Sequence, residues 1–146
     1  MSKAGSAGAR SRARELVLQS LYQAQIAGHD KNELIRQFRE RPEYERVDKE
    51  YFDELLPAIC DGRDELEKRI AEFVDRPLAQ LDPVEMAILL IGCYELESRI
   101  DVPYRAVINE AINLAKRFGA EDGHKYVNAV LDRAVRVLRP QEAVRN

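Results

Sequence analysis

The chain reads as an all-α protein, a single compact domain of about seven helices. Apolar residues recur along it at three- and four-residue steps, and no window alternates with period two. Only 7 Gly and 6 Pro punctuate its 146 residues. A 34% charged share beside 45% apolar residues suits long helices with one wet face each.

Residues 1–9, MSKAGSAGA, are small and polar without apolar periodicity, and are expected to form a disordered arm. The helical domain is expected over residues 10–139 and a tail over 140–146. From Ser11, the positions Ala13, Leu16, Val17, Leu21 and Ala24 define the first helix face, and Gly28 ends it. Asp30 with Glu33 signals a second helix through Leu34, Ile35 and Phe38, stopped before Pro42. Asp48 caps a third, with Tyr51, Phe52, Leu55, Leu56 and Ile59 inward; Pro57 is expected to kink or split it. After Gly62, Asp64 with Glu67 repeats the capping pattern for a fourth helix carrying Leu66, Ile70 and Phe73.

The strongest start signal is Asp82-Pro-Val-Glu85. The aspartate accepts from orphan N–H groups, proline has none to lose, and the glutamate reaches back to the cap. The fifth helix, to about Arg99, is apolar on most sides through Met86–Ile91, Cys93 and Leu96, which marks it as central. Asp101-Val-Pro103 breaks the chain. A sixth helix carries Val107, Ile108, Ala111, Leu114, Ala115 and Phe118 to a stop at Gly119. The seventh runs from about Asp122 to Leu138, ending before Pro140.

Several classes of function are set aside. The longest apolar run, Met86 to Ile91, is far short of the ~20 residues that cross a bilayer, and no apolar stretch follows the basic N-terminus as a signal peptide requires. Two cysteines, Cys60 and Cys93, make no disulfide framework and point to a reducing, cytoplasmic setting. His29 and His124 lack partners at metal-ligand spacing, so no metal is expected. Gly119-Ala-Glu-Asp-Gly123-His-Lys125 places two acids where a phosphate loop would bind its ligand, and no nucleophile elbow occurs. Glu95 and Glu97 lie about 200° apart on their helix and form no catalytic pair. Neither catalysis nor a cofactor is expected.

The net charge of −3 conceals an uneven distribution. Residues 1–14 carry +4, residues 15–29 carry −1, residues 30–101 carry −9 and residues 102–146 carry +3. Arg10, Arg12 and Arg14 cluster where the first helix begins, although cations there oppose the helix dipole by about 0.3–1 kcal/mol each. Arg14, Leu18 and Tyr22 follow at four-residue steps, which would set a guanidinium and an aromatic ring on neighbouring surface, as single-stranded nucleic acid requires. Tyr22 reads equally as a half-buried core residue. Lys116, Arg117, Lys125, Arg133 and Arg136 add positive charge on the last two helices, giving one basic face if these pack beside the first. On the central helix, Glu85, Glu95, Glu97 and Asp101 with Tyr94 and Arg99 would form an acidic strip suited to a basic protein, or a plain solvated edge.

Arg12-Ala-Arg-Glu-Leu-Val-Leu-Gln-Ser-Leu-Tyr22 resembles the opening of the bacterial NusB family of transcription antitermination factors, as do Val47-Asp48 and Tyr51-Phe52. The segments Leu81–Glu85, Tyr94-Glu-Leu96, Asp101-Val-Pro-Tyr104, Ile108-Asn-Glu-Ala111, Leu114-Ala-Lys116, Phe118-Gly119, Val127-Asn128 and Val130-Leu-Asp132 are closely similar to it, in order. The likeness spans about Arg10 to Leu138. It implies a NusB-like helical bundle that binds the boxA element of nascent RNA together with NusE, a small-subunit ribosomal protein, within the RNA polymerase antitermination complex on ribosomal RNA operons. By position it implies that Arg10, Arg12, Arg14, Tyr22, Lys116, Phe118, Lys125, Asn128 and Asp132 lie at or near RNA, and that Glu85, Tyr94, Glu95 and Arg99 meet NusE. Ala129, Gly123 and Tyr126 depart from the family's usual Gly, Ser and Phe. A second reading is the NusB-like accessory domain of a ribosomal RNA cytosine methyltransferase; the Met1 start and the absence of a Gly-rich cofactor region favour the first. A homodimer is left open.

Overall fold

The computed structural model describes residues 3–144, with side chains described from residue 7 to residue 143. Among the described residues there are eight α-helices and no strand, in agreement with the all-α expectation. The helices gather into two compact units, residues 1–61 and 62–146.

The first unit holds α1 (Lys3–Ala27), α2 (Lys31–Arg39) and α3 (Lys49–Asp61), with a 3-10 turn over Pro42–Arg46. α1 packs on α2, α3 and that turn, and α2 packs on α3. α1 is helical from Lys3 rather than Ser11, so the arm expected over residues 1–9 is largely helix. Met1 and Ser2 lie outside the described residues. Apolar periodicity marks the buried part of a helix only; the alanines and small residues before Ser11 allow the backbone to continue without a face to bury. Gly28 stops the helix at φ +72°, its N–H donating to the carbonyl of Ala24 at 2.9 Å. Asp30 caps α2 as expected, accepting from the N–H groups of Asn32 and Glu33.

Asp48 accepts from the Tyr51 N–H at 3.1 Å and opens α3. Pro57 does not split that helix, which runs unbroken to Asp61. Leu55, Leu56 and Ile59 around it are fully buried, and their packing outweighs the one backbone bond that proline deletes. Leu16, Leu21, Leu34, Phe38 and Phe52 complete the buried set of this unit.

The second unit holds α4 (Arg63–Ala71), α5 (Pro83–Ser98), α6 (Tyr104–Phe118), α7 (Gly123–Leu138) and α8 (Pro140–Val144), with a 3-10 turn over Leu78–Gln80. The Asp64–Glu67 capping pair does not form. Gly62 occupies the cap position without a side-chain bond, and Glu67 instead pairs with Arg63 at 2.6 Å. Asp82 caps α5 with Pro83 at its first position, as expected. α5 is central here, packed on α4, α6 and α7, with every residue from Met86 to Cys93 buried. Gly92 lets α5 approach α7 closely: a Cβ there would come within 3.0 Å of a Leu131 methyl. The expected tail begins with α8, because Pro140 starts a helix as readily as it ends one. Arg145 and Asn146 of that tail lie outside the described residues.

Candidate nucleic-acid interface

In the first unit the short segment Arg46–Asp48 runs beside the start of α1. The Asp48 N–H donates to the Ala9 carbonyl at 2.9 Å, and Arg12 Nε donates to the Arg46 carbonyl at 2.8 Å. Arg10 Nε lies 3.6 Å from Asp48 Oδ2, and its guanidinium sits 4.5 Å from the centre of the Tyr51 ring. Arg14 lies over the same ring at 5.2 Å, its Nη2 donating to Tyr51 Oη at 3.5 Å. The three arginines therefore differ. Arg12 is exposed, Arg10 is half-buried, and Arg14 is only 5% exposed.

The expected pairing of Arg14 with Tyr22 on open surface is not met. Arg14 and Leu18 sit on the stripe that α1 buries, and the stripe opens only at Tyr22, which is 42% exposed, and Ile26 beyond it. Arg46, Asp48 and Tyr51 are the residues that sequence reasoning passed over. Asp48 and Tyr51 stand in the sequence as a helix cap and an inward position and belong to the Val47-Asp48 and Tyr51-Phe52 matches, whereas Arg46 lies outside both and contributes through its backbone carbonyl.

In the second unit, Lys116, Lys125, Asn128 and Asp132 are all exposed. Lys125, Asn128 and Asp132 share the outward face of α7, within about 60° of each other. Two of them are engaged: Lys125 Nζ lies 3.2 Å from Asp122 Oδ1, and Arg136 Nη2 lies 3.2 Å from Asp132 Oδ2. Phe118 is half-buried with the Arg117 guanidinium 5.1 Å from its ring, and lies about 200° around α6 from Lys116. These two are thus not on one face. Arg133 Nε donates to the Phe73 carbonyl at 2.8 Å.

The acidic strip proposed for a protein partner is largely dismantled. Glu95 is 1% exposed, because helical spacing stacks it on the buried face of Ile88 and Ile91. Glu85 does not reach back to Asp82; a Cβ on Gly123 would meet its Oε2 at 2.8 Å, so the carboxylate lies against the first residue of α7. Burial, and the charge of Asp82, raise its pKa above the usual carboxylate value, with Arg76 opposing. Glu97 pairs with Arg69, and Arg99 pairs with Asp101 at 2.8 Å. Tyr94 is half-buried. Beside them Arg139, 4% exposed, donates to the carbonyls of Glu95, Leu96, Arg99 and Val102 at 2.8–3.0 Å.

Cys93 is fully buried and its thiol is pushed up to about 12, a neutral core residue rather than a nucleophile. No group of three or more metal-ligating side chains occurs among the described residues, and no described helix is long and apolar enough to cross a membrane.

Together these features define an all-helical protein in which the exposed members of the expected nucleic-acid set are mainly arginine, lysine and amide side chains. A model of the NusB family matches residues 11–136. The chain therefore belongs to the NusB family. It is 50% identical over 129 residues, 88% of this chain and 82% of the relative, to the transcription antitermination protein NusB of Nitrosospira multiformis. It is 46% identical to that of Alcanivorax borkumensis, over 98% of this chain and 95% of the relative. Among solved structures it is similar to NusB of T. maritima, with a TM-score of 0.81 and 27% identity over 94% of this chain and 97% of that one.

Proposed function

We propose that this chain, a transcription antitermination protein by family, acts as a non-enzymatic RNA-binding adaptor. With NusE it holds the boxA element of nascent RNA and keeps RNA polymerase transcribing through ribosomal RNA operons. The RNA half of the reading rests on one observation above all. Arg12 presents an exposed guanidinium whose Nε is tied to the Arg46 carbonyl, so a phosphate would meet a charge already oriented. Tyr22 offers an aromatic face on the same helix, and Lys116, Lys125 and Asn128 supply contacts in the second unit. In this reading the NusE surface is Tyr94, Arg99 and the loop after α5, since Glu95 is buried. The named relatives support this reading over an accessory domain of a methyltransferase.

Fluorescence anisotropy of a labelled boxA RNA, with a scrambled RNA alongside, tests the proposal with and without NusE. Selective binding that NusE tightens is expected. Equal binding of both RNAs, indifferent to NusE, would leave the antitermination role without this mechanism.

A further inference from the structure

Two arginines of the first unit, Arg41 just before the 3-10 turn and Arg46 at its end, lie outside the expected RNA surface. Arg41 Nη2 donates to Gln23 Oε1 at 3.1 Å, and the Arg46 carbonyl accepts from Arg12 Nε at 2.8 Å. The chain from Arg41 to Arg46 thus lies against α1 and runs opposite to it, Arg41 beside Gln23 and Arg46 beside Arg12. Arg12, Gln19 and Gln23 fall within about 40° of one another around α1, and Arg12 and Gln23 stand about 16 Å apart along its axis. The turn is firmly held, since Tyr44 and Val47 are buried and the Tyr44 hydroxyl donates to Asp53 at 3.0 Å. Arg46 is exposed, and among the described residues its side chain has no partner. Arg41 is half-buried, its guanidinium 3.9 Å from the centre of the Phe38 ring. Neither pairs with a carboxylate among the described residues, whereas Lys31, Arg36, Arg39 and Lys49 of the same unit each do.

We propose that this turn and α1 form the two walls of a groove for the backbone of single-stranded RNA, in which Arg46 with Arg12 takes one phosphate and Arg41 takes another toward Gln23. The proposal rests on the RNA-binding reading above and gives that surface a second wall. With Nε committed, the Nη atoms of Arg12 remain for phosphate, and Arg46 brings its guanidinium from the residue whose carbonyl makes that bond. Gln19, half-buried between the two ends, offers an amide to a sugar hydroxyl or phosphate oxygen. Tyr22 lies about 80° around α1 from Arg12, where a base of the same strand can stack. Contacts to the backbone add affinity and no sequence preference. One acid works against them: Glu43 is exposed, has no cation partner among the described residues, and stands one 3-10 turn before Arg46 on the same side. Glu45 is taken by Lys49 at 3.0 Å, and Glu15, the one acid of α1, is engaged within the fold.

The test titrates the full chain into labelled boxA and scrambled RNAs at several salt concentrations. Arg46→Gln keeps the carbonyl that holds Arg12, so it should weaken both RNAs severalfold and make the log–log salt slope shallower by about 0.7. Arg41→Gln should do the same, and the double variant should lose about 1.4. Glu43→Gln should tighten both RNAs severalfold, because it removes a charge that repels phosphate. Arg36→Gln, on α2 where Arg36 is paired with Glu33 and Glu40, controls for net charge and should change neither. Should Arg41→Gln lower the melting temperature through its lost contact with Phe38, Arg46→Gln and Glu43→Gln carry the test, both positions being exposed. If Arg12→Ala weakens binding while Arg46→Gln binds as the parent does, or if Arg36→Gln costs as much as Arg46→Gln, the groove is overturned and the RNA reading stands. If Arg12→Ala and Lys116→Ala both leave RNA binding untouched, the RNA reading falls and the groove with it.

Discussion

Tyr51 is buried under two guanidinium groups, those of Arg10 and Arg14, on the first turn of α3. Cation–π contact of this kind is worth about 0.5–1 kcal/mol at a wet site and about 2 when desolvated, so the buried Arg14 gains more from it than Arg10. Arg14→Ala should accordingly lower the unfolding free energy by about 2 kcal/mol, measured from the urea midpoint. Arg12→Ala should change it by less than about 0.5 kcal/mol while weakening RNA binding, because that residue is exposed. The reverse pattern would return Arg14 to the RNA surface. Glu95→Lys, attractive on sequence grounds as a surface charge reversal, should instead destabilise the fold by several kcal/mol, on the order of 3 or more, since it buries an ammonium among α5 packing. A well-folded Glu95→Lys protein with normal urea midpoint would show the side chain reaches water. Glu85 gives a pH signature. Its folded pKa is raised by burial, so the folded chain binds that proton more tightly than the unfolded one does. The resulting stability is full below the unfolded value, about 4.3, and is lost as pH rises through the folded value. Glu85→Gln should therefore be more stable than the parent at neutral pH, with the gap closing in acid. A gap that widens in acid would mean the N-terminus of α7 stabilises the carboxylate.

Helix ends divide the legible from the illegible. Asp30 and Asp82 cap α2 and α5 through bonds two and three residues away, and a local motif suffices to find them. The corner between α5 and α6 is closed from about 40 residues downstream, and no local pattern announces that. Arg139 takes four carbonyls at the end of α5, while Glu142 accepts from the Tyr104 N–H at 3.2 Å where α6 starts without a side-chain cap of its own. Arg139 and Glu142 are joined at 2.8 Å, so the junction from the end of α7 into α8 clamps both helix ends at once. Arg139→Ala should expose those carbonyls and cost about 3 kcal/mol, with hydrogen exchange accelerating first at Arg99–Val102. Arg139→Lys should recover only part, since one ammonium lacks the planar fork that spans four acceptors. Uniform exchange across α5 and α6 in Arg139→Ala would contradict a local clamp. Pro57 and the Asp64–Glu67 pair failed as signals for a related reason: each is a local preference, strong for the proline and weak for the pair, overruled by burial along α3 or by an ion pair with Arg63.

Across the whole chain the uneven charge was readable by counting, but which charges remain available was not. Arg14, Arg99, Arg136 and Arg139 all contribute to the count of basic residues, yet Arg14 and Arg139 are buried and Arg99 and Arg136 are paired with Asp101 and Asp132. All-helical architecture and family survived because they rest on many residues at once; individual site assignments rest on one solvent-facing atom each and did not transfer as well. Under the proposed RNA-binding reading, the remaining cations set the salt dependence of binding. Arg12, Lys116 and Lys125 are the exposed candidates among the family-implied set; Arg10 is half-buried with Asp48 at 3.6 Å, and Lys125 has Asp122 at 3.2 Å. Three or four phosphate contacts on a single strand give a log–log slope of roughly −2 to −3, at about −0.7 per contact. A chain of net charge −3 gains nothing from long-range attraction to a polyanion, so the fall in affinity between low and physiological salt should reflect these local phosphate contacts alone. Adding a basic partner such as NusE should then steepen the slope as well as tighten binding, because its own phosphate contacts add to the count. Titrations at several salt concentrations, with and without NusE, separate two outcomes. A steeper slope means the partner widens the cationic platform. Tighter binding at unchanged slope means the partner instead orders this chain's existing contacts.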